Sequence, residues 1–132
     1  MERTTLTPKP FPEAEAPYAQ GVKISGAGAL IFVAAQVAFD ERKQVVGPGD
    51  PAAQTHQVIR NLQRVLAQAE ATLADVAKVT VFITDAAHFQ AVAETRAEYF
   101  KDPLPASSFA VVSALSRPEL LVAMEAIAVT EG

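Results

Sequence analysis

Glu125 is the residue whose type and position point most directly to chemistry. It lies near the middle of residues 120–129, and all the remaining residues of that run are apolar. Because an ionised carboxylate is costly to bury alone, we expect it to be paired, hydrogen-bonded, protonated or placed in a cleft. Two interpretations remain open for Glu125: a structural carboxylate hydrogen-bonded at a subunit interface, and an acid or base in a pocket.

The rest of the chain offers few other catalytic groups. It has no cysteine, which excludes disulfides, thiolate nucleophiles and cysteine-ligated metals. His56 and His88 are isolated in the sequence and are predicted to be solvated, so no metal site is expected. No cofactor is expected either. Ser107 lies outside any Gly-x-Ser-x-Gly elbow, which leaves a hydrolase triad with little support. Tyr18 could present a phenol at a cleft, although simple packing of an edge aromatic explains it as well.

Length and charge set the class of protein. The 132 residues have a mass of 14.0 kDa and fit one domain that spans residues 1–132. With 11 basic and 15 acidic residues the net charge is −4, and no Lys/Arg cluster is present, which argues against nucleic acid as a partner. No apolar run approaches the roughly 18 residues of a membrane helix, and the start lacks a signal-peptide pattern. We therefore expect a soluble, cytoplasmic protein that does not bind a membrane.

The elements that must hold these residues form an α+β pattern. Asp50 is placed to cap a first helix with Pro51 at its first position; the apolar stripe of that helix comprises Val58, Leu62, Val65, Leu66 and Ala69. Asp85 can cap a second helix, whose stripe comprises Phe89, Val92, Arg96, Tyr99 and Phe100. The predicted strands cover residues 18–24, 30–38, 78–83, 107–114 and 120–130, after a proline-rich extended lead-in over residues 1–17.

The last predicted strand is apolar on both of its alternating faces, with Glu125 as the exception. Two helices can cover only one face of a sheet, so the other face needs cover from outside the chain. Further copies of the same chain are the simplest cover, and we expect a homo-oligomer.

Several segments together resemble the Rid family (YjgF/YER057c/UK114), the reactive-intermediate deaminases. DVAKVTVFITD at residues 75–85 is very similar to that family's D-I-V-K-x-T-V-F-V-x-D, and MEAIAV at residues 124–129 to its I-E-A-I-A-V. Shorter matches fall at residues 16–22, 33–37 and 105–109, so the resemblance covers about residues 16–130. It implies a chorismate-mutase-like fold, with two helices packed on one face of a mixed sheet, and a homotrimer with ligand-binding clefts between its subunits.

The residues that would line this cleft depart from the family pattern. Tyr18 and Glu125 match it, but Ser107 stands where the deaminases carry an arginine that clamps the substrate carboxylate. Ala35 replaces a glycine and Phe109 a small residue or cysteine. The resemblance thus assigns Tyr18, Ala35, Ser107 and Phe109 to the ligand-binding cleft and a catalytic role to Glu125. It predicts a neutral small-molecule ligand and negligible deaminase activity on 2-imino acids.

Three functions are open for such a chain, and whether it is an enzyme is undecided. The first is a hydrolase of a neutral imine or enamine, with Glu125 positioning or activating water. The second is a non-catalytic ligand-binding or regulatory trimer whose cleft is re-lined by Phe109. The third is an endoribonuclease that inhibits translation, as some relatives are labelled, and the net charge of −4 argues against it.

Overall fold

Two helices packed on one face of a four-stranded mixed sheet form the body of the molecule. The structure, a computed structural model, describes residues 1–8 and 18–132. The strands are β1 (Glu2–Leu6), β2 (Gly21–Ser25), β3 (Ala29–Val37), β4 (Val76–Ile83), β5 (Ala106–Val111) and β6 (Val122–Thr130), and the helices are α1 (Pro51–Ala67) and α2 (Phe89–Ala97). The sheet has the order β3-β6-β4-β5, in which β4 and β5 are parallel and the other pairs antiparallel. The fold is α+β, as predicted.

Helix α1 begins as its sequence predicts. Asp50 Oδ1 accepts a hydrogen bond from the Ala53 N–H at 3.0 Å, and Pro51 occupies the first helical position. The stripe that faces the sheet is shifted slightly from the predicted one, because Val65 stays 38% exposed at its margin while Ile59 is fully buried. Val58, Leu62 and Leu66 are fully buried, as expected.

Helix α2 follows a short 3-10 turn at residues 86–88, which Asp85 caps by accepting from the Ala87 N–H at 2.8 Å. Val92 and Arg96 are buried on its inner face, whereas Phe89 remains 43% exposed. The other two predicted members, Tyr99 and Phe100, lie beyond the end of the helix at Ala97, where Phe100 is buried and Tyr99 half-buried. The exposed member, Phe89, lies in the first turn, where the helix has only begun.

One face of the sheet is covered by the helices, and the other face is exposed. Val79, Val81 and Met124 point towards the helices and are completely buried. On the opposite face, Leu30 is 61% and Phe32 72% exposed. Nothing within residues 1–8 and 18–132 covers these large apolar side chains of the open face.

The N-terminal prediction was wrong in part. Residues 2–6, expected to be an extended lead-in, form β1, which pairs with β2 in an antiparallel ribbon. The Arg3 guanidinium fixes this ribbon by donating to the carbonyls of Ala74, Val76, Pro103 and Leu104 at 3.0–3.3 Å. The prolines at positions 10, 12 and 17 lie outside the described residues.

Several strand boundaries also moved, and β4 begins at Val76 rather than Lys78 and β6 at Val122 rather than Leu120. The strand predicted over residues 107–114 ends at Val111, because its pairing with β4 stops at Ile83, where β4 itself ends. The strand predicted over residues 18–24 corresponds to β2, which begins at Gly21 because Ala19 bridges to Ala106 instead. No helix in the described part of the chain is long and apolar enough to cross a membrane.

Candidate functional site

A pocket on the open face of the sheet contains Glu125. Its volume is about 380 Å³, within the range of small-molecule sites. Strands β3, β4 and β6 supply its walls, which are Phe32, Val33, Ala34, Lys78, Thr80, Glu125, Ala126 and Ile127. The pocket therefore combines one carboxylate and one ammonium with a largely apolar lining.

The alternation of β6 explains why Glu125 is exposed inside an apolar strand. Met124 and Ala126 point into the core, so Glu125 between them points outward. It lies opposite Thr80 of β4 in the register, and Thr80 shares its face. Glu125 is thus kept in solvent, which explains how a charge can occupy this strand without a large desolvation cost.

Lys78 is a pocket residue that the sequence analysis missed. Its Nζ donates a hydrogen bond to Ser108 Oγ at 2.7 Å, across the parallel β4–β5 pair. The signal was present in the sequence, because Lys78 and Thr80 are the polar members of an otherwise alternating apolar strand. This places an ammonium group on the same face as the Glu125 carboxylate.

Ala35 lies at an irregularity of β3, beside the pocket. The β3–β6 register shifts between Val33 and Gln36, and Ala34 and Ala35 are both exposed there. Gln36 Nε2 donates to the Ala34 carbonyl at 3.0 Å. Ala34 therefore lines the pocket, while the predicted cleft residue Ala35 lies next to it.

Ser107 and Phe109 lie on the opposite face of the sheet from Glu125. Ser107 is opposite Val79 in the β4–β5 register, and Val79 points towards the helices. There the guanidinium of Arg96, from α2, donates from Nη1 to Ser107 Oγ. The Phe109 ring covers the same guanidinium, with Cζ 5.0 Å from the ring centroid, and packs against Phe89 at 4.7 Å between centroids.

Tyr18 belongs to this second group. The Ala19 N–H donates to the Pro105 carbonyl at 3.0 Å, which holds Tyr18 beside the start of β5. Burial lowers the pKa of Arg96, and the nearby Tyr18 phenol acts in the opposite direction and raises it. Tyr18, Arg96, Ser107 and Phe109 therefore form one cluster, which we call the arginine cluster.

The five residues predicted for the cleft thus divide between two faces within one chain. Glu125 and Ala35 are on or beside the open face, and Tyr18, Ser107 and Phe109 are in the arginine cluster. Arg96 was expected in an apolar stripe, but its hydrogen bond to Ser107 joins α2 to a distant strand.

The two histidines are less solvated than predicted. His56 Nδ1 lies 2.7 Å from the Tyr99 hydroxyl, because α1 and α2 pack against each other at this point. His88 is half-buried, and its Nδ1 has no hydrogen-bond partner among residues 1–8 and 18–132. Neither histidine reaches the Glu125 pocket.

Comparisons with known proteins agree on one family. The family described as Endoribonuclease L-PSP matches residues 9–130. A RutC family protein of Pyrococcus abyssi is 39% identical over 97% of this chain and 94% of its own length. The crystal structure of YyfB, of the conserved Rid protein family from Yersinia pestis, is 34% identical and superposes with a TM-score of 0.87 over 98% of this chain and 99% of its own. A member of the YjgF/YER057c/UK114 family from Mycobacterium tuberculosis is 33% identical, with a TM-score of 0.68 over 98% of this chain and 100% of its own.

Proposed function

The chain belongs to the Endoribonuclease L-PSP family, that of the Rid/YjgF proteins, and we propose that it forms a homotrimer whose inter-subunit clefts bind a small molecule. The reaction proposed for this cleft is hydrolysis of an imine or enamine, with Glu125 as the catalytic residue. The arginine cluster, on the other face of the sheet, determines whether the cleft selects a charged or a neutral ligand.

One observation carries the proposal: a carboxylate stands in a pocket on an open apolar face. Phe32, which borders the pocket, is 72% exposed, and Leu30 on the same strand is 61% exposed. Exposed apolar surface of this kind marks an interface. A second copy placed on this face would enclose the pocket and leave Glu125 at the wall of a cleft.

The division of the predicted site between two faces supports the same arrangement. Within one chain the sheet separates Glu125 from Ser107. When one copy presents its open face to the β5 edge of the next, both groups reach a single cleft. Such a site is complete only in the assembly.

The chemistry asked of Glu125 is proton transfer to and from water. The water oxygen bonds to the imine carbon, and the carboxylate carries the water proton to the imine nitrogen. The proton of the new hydroxyl group then passes to the same nitrogen as the C–N bond breaks. The products are a carbonyl compound and ammonia, and the carboxylate is regenerated.

The alternative is a trimer that binds a ligand without turning it over. The packing of Phe109 on both Arg96 and Phe89 favours it, because these rings occupy space that a smaller residue would leave to substrate. Endoribonuclease action has less support, because the net charge is −4 and the pocket carries a single lysine.

Hydrolysis of a charged and a neutral substrate tests the proposal. We would generate 2-aminoacrylate and its methyl ester in situ and measure ammonia release above the spontaneous rate. Acceleration of either reaction by the wild-type protein, and its loss in Glu125→Gln, is the expected result. If neither reaction is accelerated, hydrolysis is excluded and the non-catalytic trimer remains.

A further inference from the structure

The Arg96 guanidinium is a buried charge with an unused donor. Arg96 is only 2% exposed, and its Nη1 donates to Ser107 Oγ. Among residues 1–8 and 18–132, Nη2 is buried without a hydrogen-bond partner. Buried polar groups are nearly always hydrogen-bonded, so such a donor calls for an explanation.

The charge of Arg96 also lacks a counterion among the described residues. The groups around the guanidinium are a serine hydroxyl, the Phe109 ring and the Tyr18 phenol, none of which is a carboxylate. A buried guanidinium is costly unless it is paired. An anion from outside the chain would satisfy both the free donor and the charge.

The geometry suits a carboxylate in particular. The Phe109 ring covers the face of the guanidinium, so hydrogen bonding is left to its planar edge. There Nη2 can donate together with a neighbouring N–H to both oxygens of one carboxylate, the bidentate pairing that arginine favours. Ser107 fixes the other end of the group by holding Nη1.

We propose that Arg96 binds the carboxylate of a small organic acid, and so supplies from α2 the guanidinium that position 107 lacks. The ligand is then anionic, and the neutral ligand predicted from Ser107 alone is replaced. The proposal rests on the proposed function, because the ligand reaches Arg96 from the cleft between copies. Since Arg96 is almost fully covered, the side chains that cover it must shift when the ligand enters.

Two probes that differ in charge test this in the wild-type protein. Pyruvate is the stable oxygen analogue of a 2-imino acid, and methyl pyruvate is its uncharged ester, larger by one methyl group. By isothermal titration calorimetry we expect pyruvate to bind at least about thirtyfold more tightly than the ester, the lower end of what a buried charge pair contributes. Equal affinities, or no binding of pyruvate, would overturn the proposal.

Variants assign the preference to Arg96. Arg96→Met should lose about thirtyfold or more in pyruvate affinity and leave methyl pyruvate unchanged. Arg96→Lys, which keeps the charge without the planar fork, should lose about tenfold and serves if the methionine variant does not fold. Arg60→Met removes the same charge from the exposed face of α1 and should bind as wild type. Unaltered selectivity in both Arg96 variants would contradict the assignment.

Melting temperatures separate binding from packing. If Arg96 only packed, Arg96→Met would lower the melting temperature of the ligand-free protein without changing selectivity between the two probes. As a ligand-binding residue whose charge is costly to bury, its removal should leave that temperature unchanged or raise it. Glu125→Gln separates this proposal from the hydrolytic one, because it should abolish turnover and retain selective binding of pyruvate.

Discussion

Glu125 and Arg96 are both charged side chains with apolar neighbours, but Glu125 is exposed and Arg96 is buried. Glu125 points out of the sheet and is desolvated only if something covers the open face. Arg96 is desolvated already, and burial lowers its pKa. A cleft that joined them would bring a carboxylate free to move protons next to a guanidinium that can hold a substrate. These are the two tasks that hydrolysis of a charged imine requires.

Replacing Glu125 by glutamine tests its role directly. Because the side chain is exposed on a single chain and the amide has the same shape, we expect the fold and the assembly to be retained. Imine or enamine turnover should fall by about 100-fold or more, the usual contribution of a general acid or base. Ammonia release measures turnover and light scattering the mass. A variant with full activity but a lower melting temperature would show that Glu125 is structural.

Ser107 should contribute to stability through Arg96. Ser107→Ala removes the acceptor of Nη1 and leaves a second buried donor unpaired, so we expect the free energy of unfolding to fall by about 1–3 kcal/mol. Ser108→Ala is the matched control, because Ser108 is exposed on the other face, where it accepts a hydrogen bond from Lys78. Chemical denaturation at equal protein concentration compares the two. Equal losses in both variants would contradict the role of Ser107.

The sequence identifies Glu125 and Arg96 as unusual residues, but it does not show what they contact in the fold. Glu125 is conspicuous because it interrupts an apolar run, and Arg96 because it interrupts an apolar helical stripe. The contact between Arg96 and Ser107, however, depends on how α2 lies across β5. Local spacing contains no information about that crossing, so the loss of an arginine at position 107 was predictable while its replacement from the helix was not.

At the scale of elements, α1 is tied to the sheet by a buried amide. Gln54 is fully buried; its Nε2 donates to the carbonyls of Gly47 and Glu119 at 3.1 and 2.8 Å. Its Oε1 accepts from the Leu121 N–H at 2.8 Å. One side chain thus satisfies backbone groups before α1 and just before β6, the strand that carries Glu125.

Removing this amide should loosen the start of β6. Gln54→Leu keeps the approximate volume but leaves the Glu119 carbonyl and the Leu121 N–H without their partner and removes one of the two donors to the Gly47 carbonyl, so the free energy of unfolding should fall by about 2–3 kcal/mol. Gln63→Leu, on the exposed side of the same helix, is the control and should change stability by less than about 0.5 kcal/mol. Urea denaturation measures both. An unchanged urea midpoint for Gln54→Leu would show that the segments before α1 and before β6 do not depend on this residue.

The elements themselves were largely predictable because their signals are local. Asp50 with Pro51 marks the beginning of α1, and both helices carry a sheet-facing stripe. Strand β1 was missed because Leu6 is its only apolar residue, so it lacks an apolar alternation, although Thr4 and Thr5 are residue types that favour strands. Its partner lies beyond a proline-rich segment, and Arg3 anchors it through carbonyls far along the chain. Pairing of this kind is a tertiary property that no window of sequence displays.

At the scale of the whole molecule, we expect the open face to determine assembly. Leu30 and Phe32 of β3 and Ile127 of β6 share this face, and Glu125 lies among them. The net charge of −4 per chain opposes association only weakly at physiological ionic strength. Burial of the large apolar side chains is therefore expected to dominate and to hold copies together.

A single charge on this face should separate the copies. We expect light scattering at micromolar concentration to give three times the 14.0 kDa chain mass for the wild type. Phe32→Glu should give the mass of one chain, because the new carboxylate would be buried against apolar surface without a partner. Val65→Glu, at the 38% exposed margin of α1, is the control and should remain trimeric. The separated chain should also lose imine hydrolysis and the selective binding of pyruvate, since each cleft needs residues of two copies. A wild-type mass of 14.0 kDa would refute the trimer, and a monomeric Phe32→Glu that kept full activity would show that one chain holds the complete site.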